Sequence, residues 1–301
     1  MKYKINQDYL TLIIDTQFEN KTIDDVFNHF KLSKKSIHLL KQNKEYFLNH
    51  QFVPSSTLLK QNDCLSIKAY TKDTNPFISQ YLPLDILYED EFLLIINKPA
   101  GMNVHPDSKD GLNTLCNYVQ CYYDISNYHF PVRYIHRLDY DTSGLIMFCK
   151  CHFLQAYLDH ELFLKNIKRT YLALVEGKIT QKKLQTIDTF LAKDRHVSNK
   201  MRVSLHGQRA ITHYQMISNS TNLSLVKCVL DTGRTHQIRV HMSYIHHPII
   251  GDELYGKPTH LIHRQALHAY QLELIHPITT QSLLIESPLP QDMATIQSQL
   301  K

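Results

Sequence analysis

The chain has 301 residues, 43% apolar and 20% charged, a balance that supports packed cores and excludes a disordered polyelectrolyte or a linker-rich protein. Its 33 basic and 28 acidic residues give a net charge of +5, which permits a polyanionic partner without establishing one. Apolar runs such as Phe92 to Ile96 are far too short to cross a membrane, and Met1 to Asp8 has no signal-peptide character, so a cytoplasmic protein without membrane association is expected.

In chain order, Thr22 is placed to cap a helix whose Ile23, Val26, Phe27 and Phe30 fall at helical spacing. Ser33 is placed to cap a second, containing Ile37, Leu39 and Leu40. Tyr46 to Leu48, Asn49 to Pro54 and Cys64 to Ile67 read as strand, turn and strand, so this part is expected to run as short helices followed by short strands. Lys31, Lys34, Lys35, Lys41 and Lys44 have no acid among them and form either a solvated helix face or an RNA-contacting one.

The composition changes near residue 75, with Thr71 to Pro76 reading as the connection. The expected boundaries are a small domain over 1–75, a linker over 76–85 and a large domain over 86–301. Within the large domain, Tyr88 to Glu91 suggests a turn, Phe92 to Ile96 a buried strand and Pro99 its stop. Phe153 to Leu164 reads as a helix and Tyr171 to Val175 as a strand. Strands outnumber helices, so the fold class is α+β with a mixed, largely antiparallel sheet. The six cysteines form no CxxC pair and read as reduced thiols, with Cys149 and Cys151 pointing the same way if they share a strand.

Chemistry concentrates in Tyr134 to Phe148, where His136, Arg137, Asp139 and Asp141 precede Gly144 and the apolar run Leu145 to Phe148. The glycine lets the backbone turn or approach closely just before the strand is buried. From the residues alone, Asp139 is either a functional carboxylate on a rigid lip or a turn-former bonded to the backbone near Asp141 and Thr142. Arg195 to Leu230 holds no acid but contains Arg195, Lys200, Arg202, Arg209 and Lys227, a strip suited either to phosphates or to an aggregation-resistant sheet edge. His246, His247, His260, His263 and His268 lack Cys or acidic companions at metal-ligand spacing, so no metal is expected.

Tyr134 to Phe148 closely resembles the HRLDxxTSG signature of the RluA-type pseudouridine synthases. Upstream, Tyr88 to Glu91, Asn97 to Gly101 and Val104 to Pro106 resemble that family's entry motif. Downstream, Lys168 to Gly177 resembles its KxYxAxVxG segment, and Thr232 to His241 its TGRTHQIRVH motif. His247 to Asp252 and Leu267 to Ala269 follow in the family's order. The N-terminal part is similar to the S4-type RNA-binding module in Leu32 to Lys35, Asn49 to Val53 and Gln61 to Ile67, with Asn62 where that module often has glycine.

The resemblance implies an isomerase that breaks the C1′–N1 bond of uridine in RNA, turns the uracil and rejoins it through C5, without cofactor. It implies Asp139 as the carboxylate near C1′, Arg239 as its basic partner with Arg234 as second choice, and Tyr171 stacked on the target base as candidate acceptor of the C5 proton. It further implies Ile238 as an apolar wall of the uracil pocket and Arg137 as the residue filling the space left by the extruded nucleotide. Lys34, Lys35, Lys200 and Arg202 are the expected phosphate contacts, ribosomal RNA is favoured over transfer RNA, and a monomer is expected. Two other readings compete: an RNA-binding protein or chaperone that has lost catalysis, and a hydrolase using Asp139 with Asp141 as its second carboxylate.

Overall fold

The computed structural model describes residues 1–70, 77–108 and 110–300. The expected connection over 71–76, and with it the first residue of the expected linker, lies outside the described residues.

The chain opens on a hairpin rather than a helix, correcting the expected order of helices then strands. Strands β1 (Lys2–Asn6) and β2 (Tyr9–Ile13) pair antiparallel, and Gln7 takes the left-handed turn between them (φ 53°). The hairpin was hard to foresee because its turn carries Gln7 and Asp8 instead of Gly or Asn, and because Lys2, Lys4 and Asn6 leave β1 polar.

Helix α1 (Ile23–His29) starts at Thr22 with a full capping box: Thr22 Oγ1 accepts from the Asp25 N–H, and the Asp25 carboxylate accepts from the Thr22 N–H. Helix α2 (Lys34–Gln42) is capped by Ser33, whose Oγ accepts from the Ser36 N–H. Strands β3 (Tyr46–Leu48) and β4 (Cys64–Lys68) complete an antiparallel sheet ordered β1-β2-β4-β3. Asn62 turns into β4 at φ 68°, which explains how it stands where glycine is common, since Asn tolerates this region better than most residues.

The large unit is one ten-stranded sheet. Strands β5 (Ile86–Glu89), β6 (Leu93–Lys98) and β7 (Ser143–Cys149) form one end, with Tyr88 and Glu89 inside β5 rather than in the expected turn. Strands β8 (Lys168–Glu176), β9 (Gln185–Lys193), β10 (Met201–Ser204), β11 (Gln208–Asn219) and β12 (Leu223–Leu230) form the other. Strand β13 (Leu267–Ile275) joins the halves, antiparallel to β8 and parallel to β7, and also pairs with β14 (Ser282–Glu286). The order is β10-β9-β11-β12-β8-β13-β7-β6-β5, and β13–β7 is its one parallel pairing among the described residues, so the sheet is mixed and largely antiparallel. Gly144 makes that pairing possible: at φ 109° it lies so close to β13 that an added Cβ would stand 2.3 Å from the Ala269 carbonyl oxygen.

Helices α3 (Leu115–Ile125), α4 (His152–Phe163), α5 (Gln237–Tyr244) and α6 (Gln291–Gln297) complete the described elements. None of the helices among the described residues is long and apolar enough to cross a membrane. Cys149 ends β7 whereas Cys151 caps α4, so the two do not share a strand; both are buried free thiols.

The runs Phe92 to Ile96 and Leu145 to Phe148 are continuous because β6 and β7 are covered on both faces. Leu93, Ile95, Leu145 and Met147 enter one core with α4, while Leu94, Ile96, Ile146 and Phe148 enter another with α3 and Tyr171. The first core does not stop at the large unit. It continues through Phe30, Phe27 and Leu10 of the N-terminal part, where Phe30 meets Phe153 at 4.8 Å between ring centroids and Tyr3 meets Phe92 at 4.9 Å.

Candidate active site

Residues 138–142 form a loop clamped from behind just before β7. The buried Lys98, at the end of β6, donates to the carbonyls of Pro99 and Met102 at 2.8 Å and of Tyr140 at 3.0 Å. Arg264 donates to the Asp141 carbonyl at 3.1 Å, and Gln265 to Thr142 Oγ1 at 2.9 Å. Burial pulls the Lys98 amine down to about 7, against the opposing charges of Asp141 and Asp139. Three carbonyl acceptors match the three N–H groups of its ammonium form, so burial and bonding pull in opposite directions here.

That clamp leaves the Asp139 side chain free to face the site. Its backbone carbonyl makes the local turn, accepting from the Thr142 N–H at 3.1 Å, while its carboxylate accepts from Arg239 Nη1 at 3.2 Å. The turn-former reading of the side chain is thereby set aside. The Asp139 side chain is 27% exposed, so an acid held by a cation still opens toward solvent.

Arg239 lies on the first turn of α5 and is fixed more firmly by a second acid. Its Nε and Nη2 donate to the two carboxylate oxygens of Asp252 at 2.6 and 2.9 Å, and the Asp252 side chain is 0% exposed. Asp252 also accepts from the backbone N–H groups of Leu254 and Tyr255. Burial opposes the guanidinium charge, but Asp252 and Asp139 together hold its pKa above the ordinary arginine value. The Tyr255 ring covers the guanidinium at 5.1 Å, and its hydroxyl accepts from the Met201 N–H and shares a 2.9 Å hydrogen bond with His236 Nδ1. The Lys200 ammonium also lies near the Tyr255 ring, 5.4 Å from its centroid, which brings the basic hairpin β9–β10 onto the site.

Tyr171 sits in β8 between Cys228 of β12 and Ala269 of β13. Burial raises its pKa, the Asp139 charge adds to the rise and Arg169 opposes it, so the ring is neutral near pH 7 and within electrostatic reach of the acid. Its hydroxyl has no hydrogen-bond partner among the described residues. Ile238 is buried in the same apolar cluster as Tyr171.

Other expected residues fall elsewhere. Arg137 is exposed at the rim, held at 2.9 Å by His105, which stacks on Tyr134. Arg234 does not approach Asp139: its Nε donates to the Arg209 carbonyl, so the second-choice partner is excluded in this arrangement. Lys34 and Lys35 are exposed at the start of α2 in the N-terminal unit, where no acid occupies the first turn. Arg202 is half-buried on β10. The basic strip is less unopposed than its composition implied, because Asp188 on the neighbouring β9 pairs with Arg209 at 2.6 Å. Among the described residues no group of three or more His, Cys, Asp or Glu is placed to hold a metal. His246 occupies a left-handed position (φ 65°) just after α5.

A cavity of about 570 Å³ lies behind the clamped loop, lined by Lys98, Ser143, Arg264 and His268, rather than around Asp139.

With this geometry in hand, comparison with known proteins is decisive. The sequence model described as RNA pseudouridylate synthase matches residues 92–244, and that of the RluD ribosomal pseudouridine synthase N-terminal domain matches residues 10–65. The chain belongs to the RNA pseudouridine synthase family.

It is similar to the uncharacterized RNA pseudouridine synthase YhcT of Bacillus subtilis, with 41% identity over 268 residues that cover 88% of each chain. It is also similar to the ribosomal large subunit pseudouridine synthase D of Nitrosomonas europaea, with 40% identity over 239 residues, 76% of this chain and 69% of that one. Among solved structures, human RNA pseudouridylate synthase domain containing 4 superposes with a TM-score of 0.59 at 23% identity, covering 72% of this chain and 93% of the other, a likeness of fold. The protein is thus an isomerase of this family, with the α+β fold read from its sequence.

Lys98, Asp252, Tyr255 and His105 shape the site although the sequence reading gave none of them a role. Lys98, His105 and Asp252 sat inside quoted motifs. A lysine ending an apolar strand and an acid following Gly251 are the signals that pointed to them.

Proposed function

We propose that this synthase isomerises uridine in ribosomal RNA, with Asp139 as the carboxylate that acts at C1′. The observation that carries this reading is the half-open Asp139 carboxylate held by Arg239, itself anchored by the buried Asp252. A carboxylate that must act as a nucleophile needs to be ionised, and a cation fixed at 3.2 Å favours that state. Either Asp139 attacks C1′ as the C1′–N1 bond breaks, and C5 of the turned uracil later displaces it from C1′, or Asp139 takes the C2′ proton to give a glycal and returns it as C5 bonds to C1′. In both routes C5 then loses its proton and N1, which left the sugar with the bonding electron pair, gains one. Tyr171, neutral through burial, serves as the stacking surface for the base, and Ile238 adds an apolar wall.

Arg137 at the rim is suited to fill the gap left by the extruded nucleotide, since its planar guanidinium can stack and hydrogen-bond at once. In this reading Lys200, Arg202 and Arg234 contact RNA phosphates, and Lys34 and Lys35 extend those contacts to the N-terminal unit. Ribosomal RNA is favoured because relatives such as that of Nitrosomonas europaea are named ribosomal large subunit synthases and because residues 10–65 match the corresponding N-terminal domain. The protein acts as a cytoplasmic monomer in this reading.

The test uses ribosomal RNA tritiated at uridine C5, taken from cells lacking the protein. Wild type is expected to release tritium and Asp139→Asn is not. Release of free uracil would point to a hydrolase, binding without release to an inactive RNA-binding protein, and release from transfer RNA alone would overturn the ribosomal assignment.

A further inference from the structure

Among the described residues, the buried lysines and arginines are matched, with one exception. Arg239 has Asp252 and Asp139, Lys98 has three carbonyls, and Lys150 has Glu89 and the Asp90 carbonyl. Arg169, at the start of β8, is 9% exposed, and among the described residues its guanidinium makes no hydrogen bond and no ion pair. Its Nε is buried without a partner. An uncompensated buried charge disfavours folding, and polar groups left unpaired inside a protein are rare enough to point to a partner that arrives later.

The surroundings identify that partner's chemistry. Arg169 precedes Tyr171 by two residues on the same strand, so both side chains project from one face of the sheet. Its guanidinium lies against Gly233 in the turn leading to α5: a Cβ added there would stand 3.1 Å from Nη1 and 3.4 Å from Nη2. Because Gly233 has no side chain and is exposed, a ligand can approach the guanidinium over its backbone. His136, which feels the Arg169 charge, is buried and supplies no negative charge. The cation therefore shares the face of Tyr171 with no acid in ion-pair range among the described residues.

We propose that Arg169 is a phosphate anchor of the substrate, binding the phosphodiester of the nucleotide that stacks on Tyr171. A neutral uracil carbonyl would satisfy its hydrogen bonds but leave its charge uncompensated, whereas a phosphate satisfies both and matches the guanidinium fork. This inference rests on the assignment of Tyr171 and Asp139 to the reacting nucleotide.

Full-length Arg169→Gln and Arg169→Lys are compared with wild type on C5-tritiated ribosomal RNA, with binding measured separately across a salt series. For Arg169→Gln, KM is expected to rise about ten- to a hundredfold, more than kcat falls. The slope of log affinity against log salt is expected to flatten by about 1. Arg169→Lys keeps the charge and should keep the slope while still raising KM. A raised KM with an unchanged slope in Arg169→Gln would assign the residue to a base carbonyl and overturn the proposal. Failure of both variants to fold would overturn it too, by making the guanidinium structural. If wild type releases no tritium, the proposed function fails, while the salt slope still decides the role of Arg169.

Discussion

Asp252 is the residue on which the candidate site depends most heavily, and Asp252→Asn tests this. The carboxylate accepts four hydrogen bonds: two from Arg239, at 2.6 and 2.9 Å, and two from the backbone of Leu254 and Tyr255, at 3.1 and 3.2 Å. Asparagine keeps the shape but offers a single acceptor oxygen, and its NH₂ must face guanidinium N–H groups. Removing a unit charge about 4 Å from the guanidinium centre at an effective dielectric of about 20 costs roughly 4 kcal/mol, within the range of about 3–5 kcal/mol for breaking a buried pair. That is a large share of the roughly 5–15 kcal/mol that holds a typical domain together. Urea unfolding can be followed by tyrosine fluorescence, since the chain has 18 Tyr and no Trp. With a slope of about 3 kcal/mol per molar urea, the midpoint should fall by on the order of 1 M. A midpoint within about 0.3 M of wild type, about 1 kcal/mol at that slope, would refute the reasoning and leave Arg239 positioned by something other than its buried acid.

Three further outcomes are expected. Lys98→Met strands three loop carbonyls behind Asp139, so tritium release should drop by about a hundredfold while the protein stays folded by circular dichroism; an unchanged rate would remove the clamp from the mechanism. Gly144→Ala drives a Cβ against the Ala269 backbone at a φ unfavourable to alanine, and should cost about 3 kcal/mol or more in the same urea titration, with wild-type stability as the contrary result. Burial lowers His136 to about 3, and His241 and His268 to about 4. Unfolded imidazoles bind protons below about 6.5, so between about 6.5 and 4 the unfolded state carries more protons, and stability falls as pH falls, by up to on the order of 4 kcal/mol per pH unit near pH 5. Flat urea midpoints between pH 6.5 and 5 would contradict that assignment.

The sequence was legible where a local rule acts alone. Thr22 and Ser33 cap their helices because a hydroxyl needs only the next turn to bond, and the apolar runs of β6 and β7 announce strands covered on both faces. Asp139 with Arg239, a hundred residues apart, were joined by motif resemblance, since spacing alone cannot bring them together. What stayed hidden depends on tertiary placement. Arg234 sits in the same turn as the residues around Arg239 but faces the β11 backbone, and nothing in its neighbours distinguishes the two arginines. Asp252 gains its role from burial, which a sequence does not display. The N-terminal hairpin escaped notice because its turn lacks the residues that usually mark one.

The continuous aromatic packing of Phe30 on Phe153 and Tyr3 on Phe92 has a practical consequence for dissecting this enzyme. A fragment ending at residue 70 would bare one half of that seam and a fragment beginning at 77 the other, each presenting greasy rings to water. The two halves are better studied by substitution within the intact polypeptide than by truncation.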